Sequence, residues 1–227
     1  MFHITSPGRI NLIGEHTDYT NGYVMPMAIN LHTTLEAKPA DVVEVYSEAF
    51  DEVKQFKLTD LSRENSWIDY VKGIYAVLFE EGYLPGGMKA QAGGDLPLNA
   101  GLSSSASFEL AIIAFLNTAY DLDLSREGMA LLSQKAENEF VDVPCGIMDQ
   151  FTIGLSQAHH ALFLDTETLE YEYVPFPEIL QIIVFHTGVE RRLKDSAYAQ
   201  RRKTAKKALQ TLGTLSSKRI SKEALKE

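Results

Sequence analysis

The sequence predicts an α+β fold. Short runs rich in β-branched and aromatic residues lead the chain, amphipathic helical patterns follow, and the two kinds mix without strict βαβ alternation. Of 227 residues, 45% are hydrophobic, which suits a globular protein, and the length admits one large domain or two modest ones.

The first strand-like runs are Phe2–Thr5, Tyr23–Ile29, Thr33–Ala37 and Val42–Tyr46. A helix fits Ser66–Glu81: Ser66 is a candidate N-cap, Trp67, Tyr70, Val71, Ile74 and Leu78 make an apolar face, and Gly82 stops it. A strand fits Met88–Ala92, and helices fit Ser104–Tyr120 and Arg126–Glu139. Strands are then expected at Ala161–Asp165, Glu170–Val174 and Ile182–His186, and a last helix at Leu193–Leu212. Pro175 and Pro177 interrupt both patterns and mark a domain boundary near residue 176.

The net charge of −10 speaks against general nucleic-acid binding. Its distribution is uneven: residues 1–190 hold 9 Lys and Arg against 28 Asp and Glu, whereas residues 191–227 hold 12 against 3. The basic tail reads first as a solvated helix face; a surface for an anion or a nucleic acid, or a face turned toward a part of the protein beyond this chain, are the alternatives. The apolar runs are shorter than the ~20 residues of a membrane span, the N-terminus lacks a signal-peptide pattern, and the single cysteine, Cys145, has no internal disulfide partner. A cytoplasmic protein without a membrane partner is expected.

Two stretches concentrate chemistry. The opening SPGRINLIGEHTDY (Ser6–Tyr19) crowds Arg9, Asn11, Glu15, His16 and Asp18 together. The stretch PLNAGLSSSAS (Pro97–Ser107) follows a strand and opens a helix. Gly101 permits backbone conformations closed to other residues, three serines supply hydroxyls, and a helix N-terminus offers unpaired N–H groups to an anion. It is neither a Walker A loop nor G-x-G-x-x-G, and a Ser-rich helix cap is the plain alternative.

Together with AENEFVDVPCGIMDQF (Ala136–Phe151), SWIDYVKG (Ser66–Gly73) and the tail around Ser196–Arg202, these stretches closely resemble galactokinases, a branch of the GHMP small-molecule kinases. The resemblance implies the two-domain GHMP fold, with residues 1–176 as the N-terminal domain and 177–227 as the start of the second. The family's third motif, a Gly-rich loop late in the chain, is absent before Glu227, so the resemblance implies a chain cut short early in that second domain.

It further implies ATP-dependent phosphorylation of galactose at the C1 hydroxyl. Glu15, His16, Thr17, Asp18, Gly146 and Tyr198 would bind the sugar. Carboxylates accept hydrogen bonds from neighbouring hydroxyls, and a site built for hydroxyls rejects analogues that lack them. Asp149 would be the catalytic base, with Arg9 beside it to stabilise charge on the transferred phosphoryl group. Asn99, Ala100, Gly101, Leu102, Ser103, Ser104 and Ser105 would cradle the ATP phosphates, Ser105 and Glu137 would hold Mg²⁺, and Trp67, Tyr70 and Ser47 would form the adenine pocket. Glu190 stands where family members often carry an arginine, with Arg191 a candidate to take that place through a small backbone shift. A catalytically silent galactose and ATP sensor, and a GHMP kinase for a related sugar such as galactosamine, are the alternatives.

Overall fold

Burial alternates along Val43–Ser47, where Val43, Val45 and Ser47 point inward, and this period of two sets the chain into a sheet. The computed structural model describes residues 1–185, 197–221 and 223. Along the described residues run β1 (Phe2–Asn11), β2 (Tyr23–Val24), β3 (Pro26–Ala40), β4 (Val43–Ser47), β5 (Glu52–Phe56), α1 (Ile68–Glu80), β6 (Gly87–Gly94), α2 (Ser104–Ala119) and α3 (Arg126–Lys135). The last continues into a π-helical segment, Ala136–Phe140, before α4 (Met148–Leu155), β7 (His160–Asp165), β8 (Tyr171–Pro175), α5 (Ala197–Thr211) and a 3₁₀ turn at Ser217–Arg219. The α+β expectation holds. Among the described residues no helix is long and apolar enough to cross a membrane.

Five strands form one sheet in the order β1-β3-β6-β4-β5, antiparallel except for the parallel β4–β6 pair. A second antiparallel sheet has the order β2-β7-β8. The larger core lies between the first sheet (Leu35, Val45, Met88) and the apolar faces of α1 (Val71, Ile74, Leu78) and α2 (Leu110, Ile113, Leu116). A smaller core joins Val24, Leu162 and Leu164 to Ile147, Phe151 and Leu155, and so seats α4 on the second sheet. The Ser107 hydroxyl, fully buried, donates to the Ser6 carbonyl (2.8 Å) and lies within hydrogen-bond distance of the Thr33 hydroxyl (2.9 Å), which pins α2 to β1 and β3.

Several elements differ from the expected ones. The two runs expected at 23–29 and 33–37 are one long strand preceded by a short one. Tyr23 and Val24 pair with Asp165 and Leu164, whereas residues from Pro26 onward pair with β1, so the chain changes sheet at Met25. β1 runs on to Asn11 through a register shift between Pro7 and Arg9, where Pro7 has no N–H to give a regular ladder. β5 was not anticipated, because an edge strand carrying Glu52 and Lys54 lacks an apolar signature. Neither was α4, at 8 residues shorter than periodicity detects. The cap of α1 is Trp67, not Ser66, whose buried hydroxyl finds no partner. Residues 182–185 of the expected strand belong to no helix or strand among the described residues; its end at His186 lies outside them.

Phe115 is fully buried and meets Phe2 edge to face, centroids 5.6 Å apart. Phe115→Ala is expected to cost about 3–5 kcal/mol, read as a lower denaturant midpoint at unchanged slope.

Candidate active site

The bulge in β1 aims Arg9 at the start of α4. The guanidinium grips Asp149 with two parallel bonds, Nε to Oδ1 at 2.7 Å and Nη2 to Oδ2 at 2.6 Å. This bidentate, charge-assisted geometry is the strong form of the contact and is specific to arginine. Nη1 donates to the Gly101 carbonyl at 2.9 Å, and the Arg9 backbone N–H donates to the Leu102 carbonyl at 3.1 Å. Gly8 is needed beside it, since a Cβ there would run into the Leu96 side chain and the Leu102 carbonyl.

The loop held this way has an unusual backbone. Asn99, Gly101 and Ser103 have φ of 57°, 76° and 64°, alternating with their neighbours. Alternation between the right- and left-handed regions turns successive N–H groups toward one concave side and makes an anion nest. Ser103 is also the N-cap of α2, yet its side chain makes no capping bond; its hydroxyl donates instead to Asp149 Oδ2 at 2.5 Å. The first turn of α2, with Ser104 and Ser105, therefore starts without the side-chain acceptor that a capping serine supplies, and N–H groups and a helix dipole in this state attract anions. Ala100 and Leu102 fill the positions between, Leu102 buried.

Behind this loop the Ser105 hydroxyl donates to Glu137 Oε1 at 3.1 Å, and Gln150 Nε2 donates to Oε2 at 2.8 Å. Glu137 sits in the π-helical segment, closed by the Val141 N–H to Ala136 carbonyl bond of 3.0 Å. Such a bulge projects a side chain where a regular helix would not. Burial, with the Asp149 charge second, pushes the Glu137 carboxyl up to about 7. Glu109 on α2, fully buried, is held well above the carboxylate range by burial and then by Glu137; Ser133 donates to one of its oxygens at 2.9 Å, and the other has no partner. Buried acidic oxygens suit a hard cation. Ser105 and Glu137 offer two oxygen donors, which fits Mg²⁺, an ion that keeps several waters and binds through few protein oxygens plus phosphates. Among the described residues no three His, Cys, Asp or Glu side chains converge on a cation site.

The expected sugar residues divide. Asp18 stands against Gly146, where any Cβ would collide with its carboxylate. Burial, and next the Asp149 charge, raise Asp18 to about 6. Asp18, Gly146 and Cys145 border an open cavity of about 330 Å³ that Tyr19, Thr166 and Arg202 help to line. Glu15 is exposed and accepts from Asn11 at 2.9 Å. His16 takes a left-handed φ of 64°, and its Nδ1 shares a 2.8 Å hydrogen bond with the Tyr19 hydroxyl. Neither Glu15 nor His16 lines that cavity. The Thr17 hydroxyl is engaged inside the loop, 2.6 Å from the Gly14 and Tyr23 carbonyls, and shapes the loop that carries its neighbours.

Trp67 stacks on Phe50 (6.1 Å, 3° between planes) and donates to Glu52 at 2.8 Å. Tyr70, on the first turn of α1 near Trp67, is raised above its usual range by burial and then by the Glu137 charge. Ser47 is buried at the end of β4. Tyr198 lies in α5, its side chain outside the described residues, as are Glu190 and Arg191. Ser103 as a partner of Asp149, and Gln150 as the donor to Glu137, were not foreseen. Gln150 follows Asp149 directly, and a polar residue at that place in an apolar helix was the available signal.

The pattern of the GHMP kinases N terminal domain matches residues 69–157, and the galactokinase galactose-binding signature matches residues 2–39. The galactokinase of Thermococcus kodakarensis is 60% identical over 98% of this chain, and that of Pyrococcus furiosus 55% over 98%. The chain spans 63% of the length of each of these two relatives. The crystal structure of Lactococcus lactis galactokinase complexed with galactose superposes with a TM-score of 0.85 at 36% identity, covering 96% of this chain and 57% of that one. A Methanococcus jannaschii mevalonate kinase, 22% identical with a TM-score of 0.64 over 76% of this chain and 55% of that one, shares the fold. With the galactose-binding signature on β1 to β3, the GHMP kinase N-terminal domain pattern across the 99–103 loop and Asp149, and this identity along nearly its whole length, the chain is a homologue of the galactokinases over the part of their length that it spans.

Proposed function

We propose that this chain carries the sugar, nucleotide and base residues of an ATP-dependent galactose 1-kinase, which yields galactose 1-phosphate and ADP. The observation that supports this most is the junction of Arg9, Asp149 and Ser103 beside the left-handed 99–103 loop, because it sets a carboxylate next to a phosphate-shaped nest. Phosphoryl transfer asks little covalent chemistry of a protein; positioning and charge do the work. Asp149 takes the proton from the C1 hydroxyl as that oxygen attacks the γ-phosphorus. Arg9 orients the carboxylate and faces charge building on the transferred group. The nest and the first turn of α2 hold the phosphates. Ser105 and Glu137 would hold Mg²⁺, which supplies further neutralisation of phosphate charge. Asp18, with Glu15 and His16 on the same loop and Tyr198 from α5, accepts and orders the sugar hydroxyls, and Trp67, Tyr70 and Ser47 bound the adenine. We place residues 1–176 in the kinase's N-terminal domain, residues 177–227 in the start of the second, and the reaction in the cytoplasm.

Galactose-dependent ADP production with Mg-ATP tests the reading. Asp149→Asn is expected to lower turnover by about 10²–10⁴-fold while calorimetry still detects galactose binding. A variant with near-normal turnover would remove Asp149 from the chemistry.

Asp18 supplies a pH signature. Its carboxyl loses its proton near pH 6 in the folded protein, so galactose affinity should fall as pH drops from 7.5 to 5 and should not do so in Asp18→Asn. Stability moves the other way. Between the ordinary carboxylate range, 3.8, and about 6, the folded chain holds a proton that the unfolded chain has lost, so Asp18 costs stability as pH rises through that window. Denaturant titrations should show Asp18→Asn gaining on the parent protein from pH 4 to 6 and holding a constant difference above.

A further inference from the structure

The loop that carries Glu15, His16 and Asp18 is held from outside by residues far along the chain. Thr20 and Ser217 are 197 positions apart, yet the Ser217 N–H donates to the Thr20 carbonyl at 2.8 Å, and their hydroxyls lie 3.2 Å apart. The Ser216 hydroxyl, fully buried, donates to the Asn21 carbonyl at 2.7 Å, and Asn21 Nδ2 returns a 3.0 Å bond to the Leu215 carbonyl. A Cβ on Gly22 would strike Ser217, so the two segments are in direct contact.

Lys218 then closes the arrangement. Its ammonium reaches both oxygens of Asp165, at 2.7 and 2.6 Å, and Glu167 Oε2 at 2.9 Å. Asp165 and Glu167 flank Thr166, which donates to the Gly22 carbonyl through its N–H (3.0 Å) and its hydroxyl (2.9 Å). Lys218 also sits 5.1 Å from the centroid of the Tyr23 ring, at the loop's exit. Lys218 and Asp165 are each only 14% exposed, so water screens this pair far less than an open surface pair. Arg219 adds a 2.7 Å bond to Glu167.

We propose that residues 215–219 form a strap whose closing ion pair, Lys218 with Asp165 and Glu167, holds the 15–23 loop in its sugar-binding shape, which makes Lys218 a positioning residue for galactose. The proposal rests on the sugar reading above. It follows from the entropy of the loop. The chain from Gly14 to Gly22 has no strand or helix of its own, and its internal backbone bonds are short turns closed on Thr17. Without an outside clamp its ordering would be charged against sugar affinity. Trp67, Ser105 and Glu137 make no hydrogen bond or ion pair with the strap, so nucleotide binding should not feel its loss.

The test uses the 227-residue chain and its Lys218→Ala and Lys218→Arg variants. Amide hydrogen exchange without ligand and calorimetric titration with galactose and with Mg-ATP are read on each. Lys218→Ala should speed exchange of the Thr17, Thr20 and Gly22 amides and weaken galactose binding at least tenfold. Its Mg-ATP affinity and the exchange of α2 should stay unchanged, and Lys218→Arg should restore both losses. A folded Lys218→Ala with parental loop exchange, or with slackened exchange but parental galactose affinity, would overturn the proposal. Glu167→Gln, which keeps the lysine and removes one partner, should show the same pattern in weaker form; parental behaviour there as well would confirm the overturning. A parent chain that binds Mg-ATP and not galactose would sink the sugar reading and with it the assignment of Lys218, and exchange of the loop would show separately whether the strap orders it.

Discussion

The fork between Arg9 and Asp149 is the constraint on which the site depends. It joins residues 140 positions apart, the bulged first strand and the first turn of α4. Through Gly101, Leu102 and Ser103 it also fixes the loop between β6 and α2. Three segments with no local reason to meet are held by one guanidinium and one carboxylate, both largely withdrawn from water at 14% and 28% side-chain exposure. A planar donor with a fixed fork can satisfy a carboxylate and a carbonyl at once, which a lysine cannot. The site thus assembles only when the sheet, the loop and the second core are all in place.

Around that pair the charge is lopsided. Asp18, Glu109 and Glu137 all lie within electrostatic reach of Asp149 or of one another, and burial drives each of them upward. A cluster of carboxyls this reluctant to ionise costs folding energy, and clusters of this kind concentrate where proteins do chemistry. The uncapped start of α2 has the same character. A serine stands at the capping position and its hydroxyl is spent on Asp149, so the fold forgoes a cap of about 1 kcal/mol and leaves the positive helix end without a side-chain acceptor.

Much of this was legible in the sequence, and the rest was not for identifiable reasons. The helices at 68–80 and 104–119 and the strands at 43–47 and 160–165 follow from apolar periods of 3.6 and 2. Arg9, Asp149, Ser105 and Glu137 were legible as a group because the motifs that carry them are long. What stayed hidden was backbone shape and long-range closure. The composition around Asn99 and Ser103 does not reveal their left-handed φ, and Pro7 hints at an irregular ladder without revealing that the shift turns Arg9 toward α4. Charges on β5 and the brevity of α4 masked both elements. The engagement of Thr17 with its own loop needed the loop's geometry, and the grip of Lys218 on Asp165 needed two segments 53 positions apart to be seen together.

The π-helical segment at Ala136–Phe140 carries a consequence for how this region tolerates change. A π turn holds one residue more than the helix around it requires, so one residue could be lost there with the helix still able to close its backbone bonds. But each residue of helix turns the chain by about 100°. A deletion would therefore leave a sound helix that presents a different face, with Glu137 swung away from Ser105 and Ala136 and Phe140 lifted off Gly73. At this point in the fold, length sets direction: the spare residue is dispensable to the helix's own bonds, and the Ser105–Glu137 contact is not kept without it.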